Sequence, residues 1–371
     1  MSTTEREAMQ RALVLARRGR ADVHPNPRVG CVLVKAGRVV GEGWHRRFGG
    51  PHAEVWALRQ AGADARGATA VVTLEPCSHT GKTPPCADAL VAAGVARVVA
   101  AMEDPNPRVA GSGVARLRAA GLDVEVGLLA DEAARLNRPF VKRMTTGLAW
   151  VTAKVAATLD GKVADHRGVS QWITGPSARR EGHRLRREHR AVLTGIGTVL
   201  ADDPLFTVRD VPRGWRDPVR VVLDTHLRLS PDAAPVRSSR EAPTLVLCGP
   251  DADAGRAAVL EGLGVTVLRL PLGPDGRLSL PDVLRTLAAR DLSPVLLEAG
   301  GVLSSAFFAA GLVDEVAWFA APSLLGCRAA MPAVDLSGPR DLDQRLRLDD
   351  VVVRRLGDDV LLRGVVARDP A

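Results

Sequence analysis

His52, Glu54, Cys77 and Cys86 are the residues whose types and spacing speak most directly of chemistry. They lie in two short stretches, "PHAEVWALRQ" and "EPCSHTGKTPPC". Imidazole and thiolate are the ligands zinc prefers. Three of them, His52, Cys77 and Cys86, would leave a fourth position for water, which is the arrangement of a catalytic rather than a structural zinc. Zinc-bound water is acidic enough to supply hydroxide near neutral pH. Glu54, kept off the metal, would then move the protons. Each residue also has a plain reading on its own, since a lone cysteine usually packs in a core and a lone glutamate is usually solvated. The joint pattern, with two ligands at helix starts and a third straight after a strand, favours the metal centre.

The elements around these residues set how they could meet. Thr4 and Glu7 form a capping box, and apolar residues recur at helical spacing to about Arg18. "VGCVLVK" and "VVGEGW" read as a hairpin around Ala36-Gly37. A helix is predicted from His52 to about Ala61, entered so that both His52 and Glu54 face one pocket from its first turn. Strand "TAVVTLE" then leads into Pro76-Cys77, and Cys86 opens the helix "CADALVAAG", where the positive helix end favours a thiolate. Further strands "RVVAAM" and "VEVG" alternate with helices "GVARLRAAG" and "ADEAARLNRPFVKRM". This alternation predicts an α/β unit with a mostly parallel sheet.

A second α/β series starts after "MTTGLAW". Its strands include "AVLTG", "PVRVVLD", "TLVLCG", "PVLLEAG" and "EVAWFAAP", with helices over 177–189 and 281–290 and another from Val302. It closes in a hairpin that turns at Gly357-Asp358-Asp359. The expected domains are 1–147 and 148–371, with the boundary at Gly147. Glycines follow two of these strands, in Gly195-Ile196-Gly197-Thr198 and in Gly300-Gly301. Such positions let a phosphate approach the backbone at a helix start, or they are simple tight turns. No full G-x-G-x-x-G occurs, so a Rossmann domain is not supported.

Composition narrows the class. The chain has 371 residues, 46% hydrophobic and 25% charged, which suits two globular domains. The net charge of +8 comes from 50 basic and 42 acidic residues interleaved along the chain, with no Lys/Arg block carrying interleaved aromatics. Nucleic acid is therefore not favoured as a partner, and phosphorylated small molecules fit as well. Five cysteines, an odd number, argue for reduced thiols in the cytoplasm, with Cys31, Cys248 and Cys327 read as core. The start of the chain lacks an apolar signal segment, and no stretch approaches a membrane span.

The His-x-Glu and Pro-Cys pattern resembles the zinc nucleobase deaminases, with one departure. The cysteines of "PCSHTGKTPPC" are nine apart rather than three. Read with "HPNPRVGCVLVKAGRVVGEGWH" and "AMEDPNPRVAGSG", the whole chain resembles the bifunctional deaminase–reductases of bacterial riboflavin biosynthesis. That resemblance implies a cytidine-deaminase-like, three-layer N-terminal domain and a dihydrofolate-reductase-like C-terminal domain. It implies a diaminopyrimidinone substrate carrying a phosphoribosylamino group, with Zn2+ and NADPH as cofactors. The ring amine would be hydrolysed first, and the ribosyl group then reduced to ribityl. A cytoplasmic homo-oligomer, dimer or tetramer, is also implied.

The same resemblance assigns residues. His52, Cys77 and Cys86 would bind zinc, and Glu54 would donate and accept the proton. Asn26, His45, His79, Lys82, Asp104 and Asn106 would line the deaminase pocket. Asn26 suits an amide-like ring edge and Lys82 a phosphate, although Asn26 and the Asp104-Pro-Asn-Pro run also read as turn residues. NADP contacts would fall at Ala156, Trp172, Thr198, Asp202, Thr225, Gly300 and Gly301. Reductase substrate contacts would fall at Lys154, Ser170, Arg186, Phe206, Arg209 and Glu298. Arg186 and Arg209 are expected as phosphate clamps, Phe206 only as lining, and Asp202 is the best candidate for a proton donor, which the sequence does not name. No contact to a 2′-phosphate can be assigned from the sequence.

Two other readings stay open at this point. One is a nucleic-acid or nucleoside deaminase with an accessory nucleotide-binding domain, which predicts a basic groove with stacking aromatics. The other is a structural zinc module, closed by a fourth ligand such as His79.

Overall fold

A computed structural model describes residues 4–80, 84–107, 109–210, 217–336 and 341–367. The chain divides into two units, Met1–Gly147 and Leu148–Ala371.

The first unit runs α1 (Glu5–Ala16), β1 (Gly30–Lys35), β2 (Arg38–Trp44), α2 (Ala53–Ala61), β3 (Thr69–Val72), α3 (Cys86–Ala92), β4 (Arg97–Ala100), α4 (Ser112–Ala119), β5 (Asp123–Val126), α5 (Ala130–Leu136) and α6 (Arg138–Thr146). The Thr4–Glu7 capping box starts α1, as its sequence predicts. The sheet order is β2-β1-β3-β4-β5. β1 is antiparallel to both β2 and β3, whereas β3, β4 and β5 are parallel. The sheet is thus half antiparallel rather than mostly parallel, because the opening hairpin supplies two of its strands.

Strand alternation divides the core. Cys31, Leu33, Ala70, Val72, Val98 and Ala100 pack on the face covered by α2, α3 and α4. Val32, Val71 and Val99 point the other way, against α1 and Ala133 of α5. Buried on both faces, these strands read as continuous apolar runs. The predicted helix over 130–144 is two helices. Pro139 at the start of α6 has no N–H to continue α5. Asn137, between them, clamps the backbone of Arg28 by two hydrogen bonds of 2.8 and 3.0 Å.

The second unit runs β6 (Val151–Thr158), β7 (Lys162–Ala164), α7 (Pro176–Glu188), β8 (Ala191–Gly195), α8 (Ile196–Asp202), β9 (Val219–Leu223), α9 (Ala234–Arg237), β10 (Thr244–Cys248), α10 (Ala254–Gly262), β11 (Thr266–Arg269), α11 (Leu280–Ala289), β12 (Val295–Leu297), α12 (Gly301–Ala309), β13 (Glu315–Ala321), β14 (Met331–Pro332), β15 (Leu348–Leu356) and β16 (Asp359–Val366). Its main sheet has the order β11-β10-β9-β8-β12-β6-β13-β16-β15, with only the last two pairings antiparallel. Leu193, Val221, Leu247 and Leu297 face one core, and Val192, Val222, Val246 and Leu296 face the other. All strands from β11 to β13 are parallel, so their C-terminal ends lie along one edge of the sheet.

Three local expectations change. Gly195-Ile196-Gly197 is not a simple turn, since α8 starts at Ile196. Asp359 is paired with Leu356 and buried, and its carboxylate accepts the Gly175 N–H at 2.7 Å, so the hairpin turns at Gly357-Asp358. Cys31 and Cys248 are fully buried, but Cys327 is only half-buried, outside the sheet.

Candidate functional site

In the first unit, His52 caps α2 and Glu54 lies in its first turn. The helix sits directly on β2 because Gly41 and Gly43 have no side chain. A Cβ on Gly43 would stand 2.2 Å from the Ala53 carbonyl oxygen, and one on Gly41 2.2 Å from that of Ala57. Cys77 follows β3, and Cys86 is the first residue of α3. One ligand atom each from His52, Cys77 and Cys86 thereby falls within 4.8 Å of the others. Nδ1 of His52 lies 3.5 Å from the Cys77 sulfur and 3.2 Å from that of Cys86. Among the described residues this group holds no fourth protein ligand, so His79 does not close it into a structural site.

The donor set suits zinc. Cys77 is held down to about 4 by the Cys86 thiol and then by His52, while Cys86 is pushed up, first by the neighbouring Cys77 sulfur. The two sulfurs alone hold one negative charge comfortably, not two. A divalent cation would let both be thiolates. Glu54 is 3% exposed, and its Oε2 has no hydrogen-bond partner. Burial raises its carboxyl above the ordinary carboxylate range. A buried carboxyl with one oxygen left unsatisfied beside three metal ligands suits a proton carrier.

A cavity of about 330 Å³ opens onto this group, lined also by Asn26, His45, His79, Asp104 and Asn106. Burial pulls the His45 imidazole down to about 4, so the ring is neutral. Its Nδ1 is 3.2 Å from the Pro51 carbonyl, which can only accept, so Nδ1 carries the proton. Nε2, 3.3 Å away from the Asn26 Nδ2, therefore accepts from that amide. This fixes the Asn26 side chain. Asp104 is both a turn residue and a lining residue: its Oδ1 accepts from the Asn106 N–H at 2.9 Å, and burial raises its carboxyl. His79 is exposed, and Lys82 lies outside the described residues.

Sequence reasoning passed over Glu75. It is 5% exposed and accepts N–H bonds from Asp104, Gly111, Gly113 and Val114, at 2.7 to 3.0 Å. It thus ties the 103–111 loop to the end of β3, next to Cys77. An acid directly before Pro-Cys, at a strand end, was the available signal. Phe140, Arg143 and Met144 of α6 also line this cavity.

The basic balance has a local expression in this unit. Arg18, Trp44, Arg46, Trp56 and Arg59 form an alternating stack, with guanidinium-to-ring distances of 5.1, 4.5, 3.8 and 5.2 Å. The indole faces are covered by arginines of the same chain rather than offered to bases.

In the second unit, a cavity of about 1390 Å³ lies along the C-terminal ends of the parallel strands. Lys154 and Ala156 of β6, Ser170, Trp172 and Arg186 of α7 line it. So do Thr198 and Asp202 of α8, Phe206, Arg209, Thr225, Glu298 and Gly300-Gly301. Asp202 and Arg209 are exposed, and Trp172 is 71% exposed with Arg179 over its ring at 4.6 Å.

Arg186 differs from the expected open clamp. Its Nε and Nη2 donate to the two oxygens of Glu298 at 2.6 and 3.0 Å, and its Nη1 donates to the Thr207 carbonyl at 3.1 Å. Its guanidinium is engaged by the buried Glu298, which also receives Lys154 Nζ at 3.5 Å. Despite burial, the two cations, Arg186 first, hold the Glu298 carboxyl down to about 2. A dinucleotide would find a cradle beside this cluster. A Cβ on Gly197 would meet nothing within 4 Å, and one on Gly300 would meet only Thr198 Oγ1 at 3.8 Å, so both glycines leave open space on the cavity wall. Gly300 caps α12, whose first N–H groups have no partner within the helix.

Residues 149–362 match the family profile of the RibD C-terminal domain, and residues 2–102 that of the cytidine and deoxycytidylate deaminase zinc-binding region. The chain is 46% identical to the riboflavin biosynthesis protein RibD of Escherichia coli, over 97% of this chain and 98% of that protein. It superposes on Acinetobacter baumannii RibD with a TM-score of 0.87 at 42% identity, covering 98% of this chain and 99% of the other. A diaminohydroxyphosphoribosylaminopyrimidine deaminase/5-amino-6-(5-phosphoribosylamino)uracil reductase of Thermotoga maritima aligns with a TM-score of 0.81 at 36% identity, with the same coverage.

Proposed function

The chain belongs to the RibD family of bifunctional riboflavin-biosynthesis deaminase–reductases, and from that premise we propose how its own residues divide the work. It is a zinc-dependent deaminase in its first unit and an NADPH-dependent reductase in its second. The observation that carries the residue assignment is the His52–Cys77–Cys86 group with Glu54, its Oε2 unsatisfied, beside it.

Held by His52 Nδ1 and two thiolates, zinc would supply an acidified water as the nucleophile. Glu54 would take a proton from the attacking water and pass it to the ring nitrogen of the 2,5-diamino-6-(5-phosphoribosylamino)pyrimidin-4-one. The nucleophile's oxygen bonds to the amine-bearing ring carbon. Glu54 would then take the proton of the newly added hydroxyl and deliver it to the departing nitrogen, so that the C–N bond breaks and ammonia leaves as the carbonyl forms. Asn26, oriented by His45, reads the ring edge. Burial raises the proton affinity of Glu54, the direction that carrying a proton requires.

In the second unit, bound NADPH would supply the hydride that reduces the opened ribosyl carbon, with the balancing proton drawn from water. Lys154, Arg186 and Glu298 form the fixed polar floor that positions the sugar, and Ala156, Thr198 and the Gly300-Gly301 start of α12 hold the dinucleotide. Arg209, exposed at the cavity wall, is the better placed of the two arginines for the substrate phosphate.

Two coarser features extend this reading. We assign the enzyme to the cytoplasm, supported by its five free cysteines. Among the described residues no helix is long and apolar enough to cross a membrane. We also assign it a homo-oligomeric state, dimer or tetramer. Edge strand β15 exposes Val351, Val352 and Val353 at 47%, 55% and 63%, a surface that a second copy would cover.

The test is Glu54→Gln. The variant is expected to retain zinc and its thermal transition, and to lose ammonia release by a factor of about a hundred or more. It should still oxidise NADPH when given the deaminated substrate. Full ammonia release from a zinc-loaded variant would overturn the assignment.

A further inference from the structure

Arg17, Arg18, Arg20, Arg46, Arg47 and Arg59 of the first unit are all exposed, and they gather on one face. Two of the segments that carry them pack together. A Cβ on Gly19 would stand 2.8 Å from the His45 carbonyl oxygen, and the Phe48 N–H donates to the Asp22 carbonyl at 2.8 Å. Trp44 and Trp56 then join Arg18, Arg46 and Arg59 in the stack already described. Stacking on an indole holds a guanidinium in place without neutralising it.

Acids do little to offset this charge. Among the described residues none of the six arginines is ion-paired, and Glu42 of β2 is taken by Arg11. Asp22 is the one acid within 17–22 and 45–48. The face is therefore strongly positive.

It borders the mouth of the cavity that holds the His52–Cys77–Cys86 group. Phe48, Gly49 and Gly50 line that cavity, and Phe48 is 39% exposed, which puts it at the rim. Arg46 and Arg47 come directly before it in the chain. The stem of Arg47 lies on Gly50, where a Cβ would be 3.1 Å from Arg47 Cγ and 3.6 Å from its Nε. Pro25 and Asn26, which follow Arg20 and Asp22, line the same cavity. None of the six arginines lines it, so they are not placed to touch the ring or the metal group.

They can still act at a distance. A phosphomonoester carries close to two negative charges near neutral pH. A patch of the opposite sign beside a cleft raises the concentration of such an ion at its mouth. We propose that the arginine face is a capture surface, which draws the phosphorylated substrate to the deaminase mouth through its field rather than by a contact. This rests on the deaminase reading of the first unit. With the phosphate about 10 Å away, each arginine is worth roughly threefold in capture at about 10 mM salt, and well under twofold at about 0.3 M.

The experiment measures kcat/KM for ammonia release by the full, zinc-loaded chain over that range of salt. Arg17, Arg20 and Arg47, which lie outside the Arg–Trp stack, are changed to Gln singly and together, and together to Lys. The triple Gln variant should lose roughly twentyfold in kcat/KM at low salt and little at high salt, with kcat held. Each single Gln change should carry a comparable share, and the triple Lys variant, which keeps the charge, should behave as the unsubstituted chain. Zinc content should not change. NADPH oxidation with the deaminated substrate, which bears the same phosphate, should keep its own salt dependence in every variant. An unsubstituted chain whose kcat/KM ignores salt would overturn the proposal, as would a triple Gln variant with an unaltered salt dependence. A loss carried by one arginine alone and not restored by Lys would replace the field by a contact, and so overturn it too. Absence of ammonia release from the unsubstituted, zinc-loaded chain would remove the deaminase reading itself, and the capture surface with it.

Discussion

Replacing Glu298 by Gln tests whether the floor of the second cavity is a working ion cluster. Glu298 is 8% exposed in its side chain, against 15% for Arg186 and 25% for Lys154. Both carboxylate oxygens are taken by Arg186, and Lys154 adds a third contact. The carboxyl is held down from 4.5 to about 2. At 1.36 kcal/mol per pKa unit this corresponds to about 3 kcal/mol favouring the folded state at neutral pH. Breaking a buried pair by removing one partner independently suggests a cost of about 3–5 kcal/mol, because two cations are left unneutralised. The two routes agree at about 3 kcal/mol. For a domain of this size that is a fall in Tm of roughly 6–12 °C. Calorimetry of both proteins at a series of pH values provides the assay. Since the folded pKa is depressed, the stabilisation is complete above about 4.5 and is lost as pH falls toward about 2. The gap between the two proteins should therefore close over that interval. A gap below about 0.5 kcal/mol at pH 7 would refute the reasoning, since surface-like substitutions cost no more than that. So would a gap that ignores pH.

Three other outcomes follow from the first unit. Glu75→Gln exchanges an oxygen that accepts two backbone N–H groups for an amide that donates, and should cost at least about 2 kcal/mol by urea denaturation. Gly43→Ala puts a Cβ 2.2 Å from the Ala53 carbonyl, so α2 must move off β2; stability should fall by about 1–3 kcal/mol and zinc retention should weaken, read by metal analysis. Chelation should abolish ammonia release and zinc should restore it, while NADPH oxidation with deaminated substrate continues; persistent ammonia release from metal-free protein would contradict the zinc assignment.

Much of the deaminase centre is legible in the sequence, because its signals are local. His52 and Cys86 stand at helix starts that "PHAE" and "PPCADAL" announce by their punctuation, and Cys77 stands just past a β-rich run. The α/β class also follows from local alternation. What the chain could not disclose depends on residues far apart in sequence. The antiparallel hairpin beside parallel strands, the Glu75 bonds reaching 29 to 39 positions ahead, and the Arg–Trp stack drawn from β2, α2 and the segments after α1 and β2 exist only once the sheet has formed. Arg186 shows the difference most clearly. The resemblance singles out Arg186 among the several arginines of "HRLRREHR" as a phosphate clamp, but fold geometry hands it to Glu298, 112 residues away. Residue type and spacing decided which chemistry the chain could do. The packing of strands onto a common edge decided which charges meet, because desolvation rewards only the pairs that tertiary structure brings within a few ångströms.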